Sequence, residues 1–259
     1  MIICFTGTGN SRRIADMLQD ALGDQLVRLA PGLMNAPEKI LLNVPDGRLI
    51  WVFPVHSWGV PSPARRTIRR AQIVSEGNVE HYLVCTCGDD IGYTDKQWRR
   101  MIAERGWTAK GAFSVQMPNT YVFLPGFDVD PAEVAEAKLA AAPKRLETII
   151  AAIREGSDTI DVVRGNMAWM KSKVLNPLYR KFMRSTKPFH TNDSCGGCGK
   201  CSRNCPISTI TMVDGRPQWG EKCTMCSRCY HCCPRHAIEY GSYTHGKGQY
   251  ICPGYTLSD

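Results

Sequence analysis

Eight of the thirteen cysteines stand in two runs of identical spacing. Cys195, Cys198, Cys201, Cys205 and Pro206 spell C-x2-C-x2-C-x3-C-P, and Cys223, Cys226, Cys229, Cys233 and Pro234 spell it again 28 residues later. Three closely spaced thiolates can wrap one face of a cubane [4Fe–4S] cluster, and in this motif the fourth cysteine, before proline, ligates the other cluster. The expected ligand sets are therefore Cys195, Cys198, Cys201 and Cys233 for a first [4Fe–4S] cluster, and Cys223, Cys226, Cys229 and Cys205 for a second. Structural zinc also uses C-x2-C pairs, but two whole copies of the four-cysteine run suit it poorly. Two copies suit a small pseudo-symmetric unit and are too few for a solenoid. Cys232 adjoins a ligand and should point away from it; Cys252 has no assignment. His231 and His236 are either hydrogen-bond donors to a cluster or ordinary surface histidines.

A second set of chemistry-bearing residues lies near the start. Thr6, Gly7, Thr8, Gly9, Asn10 and Ser11 follow an apolar run and precede a helical pattern. Such a loop points backbone N–H groups and a helix N-terminus at one anion. The lysine of a nucleoside-triphosphate loop is missing, and Arg12 stands where a dinucleotide loop needs its third glycine. A single bound phosphate fits best, against a plain helix cap. Two further loops follow later strands: Pro54, Val55, His56, Ser57, Trp58 and Gly59, then Cys87, Gly88, Asp89, Asp90, Gly92 and Tyr93. In an open α/β sheet these loops meet beyond the carboxyl ends of the strands. Trp58 and Tyr93 offer planes for a flavin ring, with packing in the core as the alternative for Trp58. Asp89 and Asp90 accept hydrogen bonds or cap the next helix, and His56 could answer the flavin's charge.

The elements that must position these residues alternate. Residues 2–5, 49–55, 82–87 and 112–117 read as strands. Residues 11–22, 64–74, 95–105 and 131–155 read as helices, the last interrupted at Pro143. This βαβα rhythm predicts an α/β fold, a doubly wound parallel sheet with helices on both faces, over residues 1–160. Residues 161–190 form a basic connector, helical in part and broken near Pro177. From Arg164 to Lys187 it carries seven Lys or Arg and no acid. The cysteine-rich remainder, 191–259, forms a separate small domain.

The formal charge of +8 is uneven: residues 1–160 hold 18 basic and 18 acidic residues, and residues 161–259 hold 14 and 6. No stacking or groove-reading motif accompanies the basic excess, so nucleic acid is not expected as a partner. No apolar run approaches ~18 residues, so no membrane span is expected. Clustered cysteines without a secretory leader predict a cytoplasmic metal-binding protein. No hydrolytic Ser/His/Asp or paired-carboxylate arrangement is visible. The connector either packs across the two domains, docks an acidic partner, or makes weak peripheral contact with an anionic membrane surface.

Residues 190–240, with all eight cysteines and both prolines, resemble the bacterial two-[4Fe–4S] ferredoxins. The three loops are similar to the phosphate loop and the two flavin-flanking loops of flavodoxins. Together with Phe5, Thr86-Cys87-Gly88-Asp89 and Met117-Pro118-Asn119, they resemble the flavodoxin–ferredoxin fusion family over nearly the whole chain. The resemblance implies a flavodoxin-like domain binding FMN, a small α+β ferredoxin-like domain, and electron transfer with redox proteins as partners. The implied role is a relay that passes single electrons between two [4Fe–4S] clusters and FMN. Alternatives are an FMN-dependent reductase of a quinone or nitro compound, and a ferredoxin whose first domain only docks.

Overall fold

A computed structural model describes residues 1–29 and 39–255. The short apolar run Ile2–Cys4 forms β1, fully buried, and the chain turns through the glycine-rich loop into α1, Asn10–Leu22. Ile14, Ala15 and Leu18 make the buried stripe of α1. Gly23 ends it in the left-handed region (φ 71°) and donates its N–H to Gln19 O at 2.8 Å. That is the glycine C-cap its position predicts.

The strands β2 (Leu26–Arg28), β4 (Arg48–Pro54), β6 (Glu80–Cys87), β7 (Thr108–Gln116) and β8 (Ile160–Asp161) join β1 in one six-stranded sheet, ordered β2-β1-β4-β6-β7-β8. Every pairing in it is parallel. The order reverses between β1 and β4, so the carboxyl ends of those two strands flank a crevice, the usual ligand position in a doubly wound sheet. The α/β arrangement with helices around a parallel sheet is thus present, and its strand order is consistent with a flavodoxin-like fold. Helices α2 (Ser62–Arg70) and α3 (Thr94–Ala103) pack against each other, while α4 (Ala132–Arg154) packs with α1.

Three local expectations change. Residues 71–74 are not helical: Ala71–Val74 is strand β5, paired parallel with β3 (Ile40–Asn43) outside the main sheet. Its β-branched pair Ile73-Val74 suits an extended chain better than a fourth helical turn. Helix α4 runs unbroken through Pro143, because Ala142, Leu146, Ile149 and Ile153 anchor it in the core on both sides of the lost hydrogen bond. The connector does not break at Pro177. It is helical over Ala168–Met170 and Asn176–Phe182, joined by a π-helical turn at Lys171–Leu175. The wide turn sits just before the proline that cannot donate.

The cysteine-rich part repeats its backbone as well as its sequence. Helical turns at Lys200–Arg203 and Arg228–His231 correspond, and each is followed by a strand, β10 (Ile210–Val213) and β12 (Ile238–Tyr240). Strand β10 pairs antiparallel with β11 (Arg216–Trp219), and β12 pairs antiparallel with β9 (Phe189–Thr191). Asn204 N–H to Lys200 O recurs as Cys232 N–H to Arg228 O, and Ser208 N–H to Cys205 O as His236 N–H to Cys233 O. The loop after β7 inserts Val122 and Phe123 into the core of this part, where Phe123 meets Phe189 edge-on at 5.1 Å. Among the described residues no helix is long and apolar enough to cross a membrane.

Candidate functional site

At the crevice, one cleft collects the predicted loops. It encloses about 730 Å³, solvent at its mouth included. Thr6, Gly7, Thr8, Asn10 and Ser11 line one wall, Pro54, Val55, His56 and Ser57 a second, and Cys87 and Gly88 a third. Ser11 Oγ and Thr86 Oγ1 are 2.7 Å apart, which ties the first loop to the end of β6. Thr6 Oγ1 accepts from Gly9 N–H at 3.1 Å. The N–H groups of Gly7, Thr8, Asn10 and Ser11 meet no acceptor among the described residues. Unsatisfied donors at a helix start attract an anion. Asn10 is otherwise engaged: its Nδ2 donates to Pro118 O at 2.9 Å, and its Oδ1 accepts from Tyr250 OH at 2.9 Å.

Several predicted residues stand elsewhere. Trp58 and Tyr93 do not line the cleft; the connector takes both. Ser172 Oγ donates to Trp58 O at 3.0 Å and accepts from Tyr93 N–H at 2.7 Å. Lys171 lies 5.3 Å over the Trp58 ring, and Lys96 lies 4.0 Å over the Tyr93 ring. Gly59 packs against the Asn176 side chain, whose Nδ2 donates to Ser57 O at 2.8 Å. Asp90 accepts from Gly92 N–H at 3.0 Å and pairs with Lys171 at 2.5 Å, so it holds the connector. Asp89 is exposed, its carboxylate 3.8 Å from Lys138. Gly9, at φ 102°, lies under the C-terminal tail, where a Cβ would stand 2.8 Å from Cys252 Cβ. The aromatic rings that do face the cleft are His56, Tyr121 and Tyr179. Enclosure, with Arg184 adding repulsion, pulls His56 down to about 4, so it is neutral at pH 7 although its edge still faces the cleft.

The cysteines form two separate sets, each around its own small cavity. Cys195, Cys198, Cys201 and Cys233 line one, and Cys205, Cys223, Cys226 and Cys229 line the other. Cys205 and Cys233 thus stand in each other's half. Both receive the same backbone donor: Thr209 N–H reaches Cys205 Sγ at 3.3 Å, and Ala237 N–H reaches Cys233 Sγ at 3.3 Å. Met225 N–H adds a 3.2 Å contact to Cys223 Sγ. In the second set burial pushes Cys223 up to about 11 and Cys226 to about 12, and raises Cys229 well above the ordinary thiol value. Among the described residues no group of three or more His, Cys, Asp or Glu converges closely enough to hold one metal ion. The four thiols of each set stand around a space.

The second cavity holds an indole donor. Trp219 Nε1 is buried without a hydrogen-bond partner among the described residues, beside Cys229, whose thiolate it favours. The sequence carries no signal for this residue, nor for Met225, Ser227 and Arg228. Met225, Cys226 and Ser227 form part of the wall of the loop cleft, so one cysteine set abuts that cleft. Arg228 bridges them: its Nε donates to Gly7 O at 2.8 Å, one terminal nitrogen to Thr6 O at 3.1 Å and the other to Asn204 O at 3.3 Å. An arginine one residue before Cys229 carries no sequence signal for a contact with a loop more than 200 residues away.

The remaining cysteines are buried in the fold. Cys4 Sγ donates to Ser11 O and Cys85 Sγ to Phe113 O, while Cys232 Sγ turns to Cys229 O at 3.5 Å, away from both cavities. His231 bonds Thr120 O through Nε2 at 2.7 Å and accepts from Tyr250 N–H at 3.1 Å through Nδ1. It therefore clamps the loop after β7 to the C-terminal tail and has no nitrogen left for a sulfur. Comparison with protein-family models and with curated proteins finds no match for this chain.

Proposed function

We propose that the chain is an electron-transfer flavoprotein of the flavodoxin–ferredoxin type, with FMN in the loop cleft and two [4Fe–4S] clusters in the cysteine cavities. The observation that carries this reading is the contact between the second cysteine set and the loop cleft through Met225, Cys226 and Ser227. The donor chemistry fits. Four thiols spread around a space suit a polynuclear centre better than a single zinc ion, which draws its ligands to ~2.3 Å. The lone indole N–H of Trp219 and the paired N–H to sulfur contacts at Cys205 and Cys233 suit a cavity that contains charged sulfur. The unsatisfied N–H groups of the first loop suit a phosphate.

When bound, the clusters exchange single electrons and the flavin exchanges one or two. The protein supplies separation and environment. Gly7 lets the first loop approach the cysteine loop: a Cβ there would stand 2.6 Å from Cys226 O. Arg228 fixes that approach with three hydrogen bonds. Neutral His56 and the rings of Tyr121 and Tyr179 give the cleft wall aromatic surface without charge. With roughly −2 per cluster and about −1.5 to −2 for a phosphate, the +8 chain comes close to balance.

Anaerobic purification, followed by an absorption spectrum and counts of iron and flavin per chain, tests the proposal. The expected result is about eight irons and one flavin. Stoichiometric zinc or two irons would overturn the cluster assignment, and iron without flavin would overturn the FMN assignment.

A further inference from the structure

The connector is amphipathic in the reverse of the usual sense. Its buried residues are polar: Ser172 and Asn176 hold the Trp58 and Tyr93 loops, and Tyr179 lines the cleft. Its outward residues are large and apolar: Met167 is 62% exposed, Trp169 61%, Leu178 46% and Phe182 64%. Helices normally turn that face inward, so an exposed apolar stripe marks an interaction surface.

Next to this stripe, α2, the connector and residues 221–223 enclose a groove of about 1050 Å³, solvent at its mouth included. Arg66, Arg180, Lys181, Arg184 and Lys222 surround it, with Glu221 as its one acid. Arg180, Lys181, Arg184 and Lys222 make no ion pair with any described residue. Arg184 donates to Cys223 O, and its Nε is buried without a partner among the described residues. Crowding and mutual repulsion lower Arg180 and pull Arg65 beside it down to about 10. Two cations earlier in the connector are matched: Arg164 pairs with Asp95 and Lys171 with Asp90. The groove thus gathers four cations that have no ion pair among the described residues, and Cys223 forms part of its floor.

We propose that this groove docks an acidic one-electron carrier protein, whose carboxylates pair with Arg180, Lys181 and Lys222 while Phe182 and its apolar neighbours fill the contact. The inference rests on the electron-transfer reading above. A lipid surface offers the same charge, but it is flat and has no electron to exchange, whereas the groove is concave and opens onto a cysteine of the inner set. In the docked pair one electron leaves the carrier and one enters this protein, or the reverse, with no bond made or broken. Aromatic and arginine side chains around a central hollow are the usual anchors of such contacts, and charge of this kind speeds encounter.

The test uses the full, iron-loaded chain and a plant-type [2Fe–2S] ferredoxin as the acidic probe, with the dissociation constant measured by calorimetry at low and high salt. Expected are binding that weakens with salt, a loss of about tenfold or more at low salt in R180E/K181E, and a smaller loss in K222E, on a separate element. All three positions are exposed, and circular dichroism verifies the fold. The control K144E, on α4, retains parental affinity. Salt-insensitive binding, or an equal loss in K144E, overturns the proposal. So does capture by phosphatidylglycerol vesicles that R180E/K181E abolishes while ferredoxin does not bind. Ferredoxin that binds through the groove but, when reduced, passes no electron to the iron-loaded chain leaves the surface standing and sinks the relay reading instead.

Discussion

The two halves of the cysteine repeat share one template and meet different surroundings. The outer set, Cys195, Cys198, Cys201 and Cys233, includes an exposed thiol at Cys198 and lies among glycines and flexible cations. The inner set lies between the loop cleft and the aromatic core of Phe123, Phe189 and Trp219. Where the outer copy turns left-handed at Gly197 and Gly199, the inner copy puts Met225 and Ser227 in the same region, at φ 55° and 59°. A non-glycine residue there costs about 1–2 kcal/mol. Met225 and Ser227 are both buried at the cleft wall, and that packing offsets the strain. The lesson is that a ligand motif can be copied while its setting diverges. One copy is left open to solvent and the other is fitted to a neighbouring site.

The largest effect that could break this contrast comes from removing one proposed cluster cysteine on each side. Cys229→Ser should lose about half the iron, release flavin and lower stability by several kcal/mol. Cys198→Ser should lose a similar share of iron, keep flavin, and destabilise less. Iron and flavin counts with anaerobic melting curves decide; equal flavin loss would mean that the inner set is not special. A second pair tests the junction. Gly7→Ala must displace the Cys226 carbonyl, at a cost of about 1–3 kcal/mol. Gly196→Ala meets only the flexible Arg235 side chain at 3.0 Å and should cost under about 1 kcal/mol. Chemical unfolding of both variants measures the difference.

The third prediction separates the sheet from the cysteine pair. His81 is fully buried at the amino end of β6, stacked 4.9 Å from Trp107, and accepts from Trp51 Nε1 at 3.0 Å. Burial lowers it to about 4. The unfolded chain, near 6.5, binds the proton first. The stabilisation is therefore complete above pH ~6.5 and fades as pH falls toward 4, by up to about 3 kcal/mol. His81→Gln should flatten that slope whether or not iron is bound, as urea unfolding across this range would reveal. The smallest effect is electronic. Trp219→Phe keeps the stack on Phe189 (5.0 Å, 9°) but removes the lone N–H at the inner cavity. A hydrogen bond to charged sulfur of about 1.5 kcal/mol corresponds to ~60 mV for one electron. The inner centre should become that much harder to reduce, and the outer one should not move, in a redox titration followed by electron paramagnetic resonance.

Much of this was legible because it is local. Cysteine spacing of three and four residues, a proline after the last thiol and a glycine-rich turn after an apolar strand act over a few residues. The crossed sets, the loop cleft and the alternating strands and helices follow from such signals. The errors came from distance. Ala71–Val74 became a strand because β3, some thirty residues earlier in the chain, offered it an edge. Trp58 and Tyr93 belong to loops that face the cleft, but Ser172 and Lys171 of the connector hold them outside it.

The sequence by itself determined the parallel sheet, the loop cleft at its carboxyl edge and the eight thiols, since hydrophobic period and motif spacing are properties of short segments. Only the tertiary structure decided which cysteine set touches the cleft, that Arg228 ties Gly7 to that set, and that the basic connector turns its polar side inward. Those depend on which surfaces are left to be covered once the sheet has formed, and that is settled by packing between residues far apart in the chain.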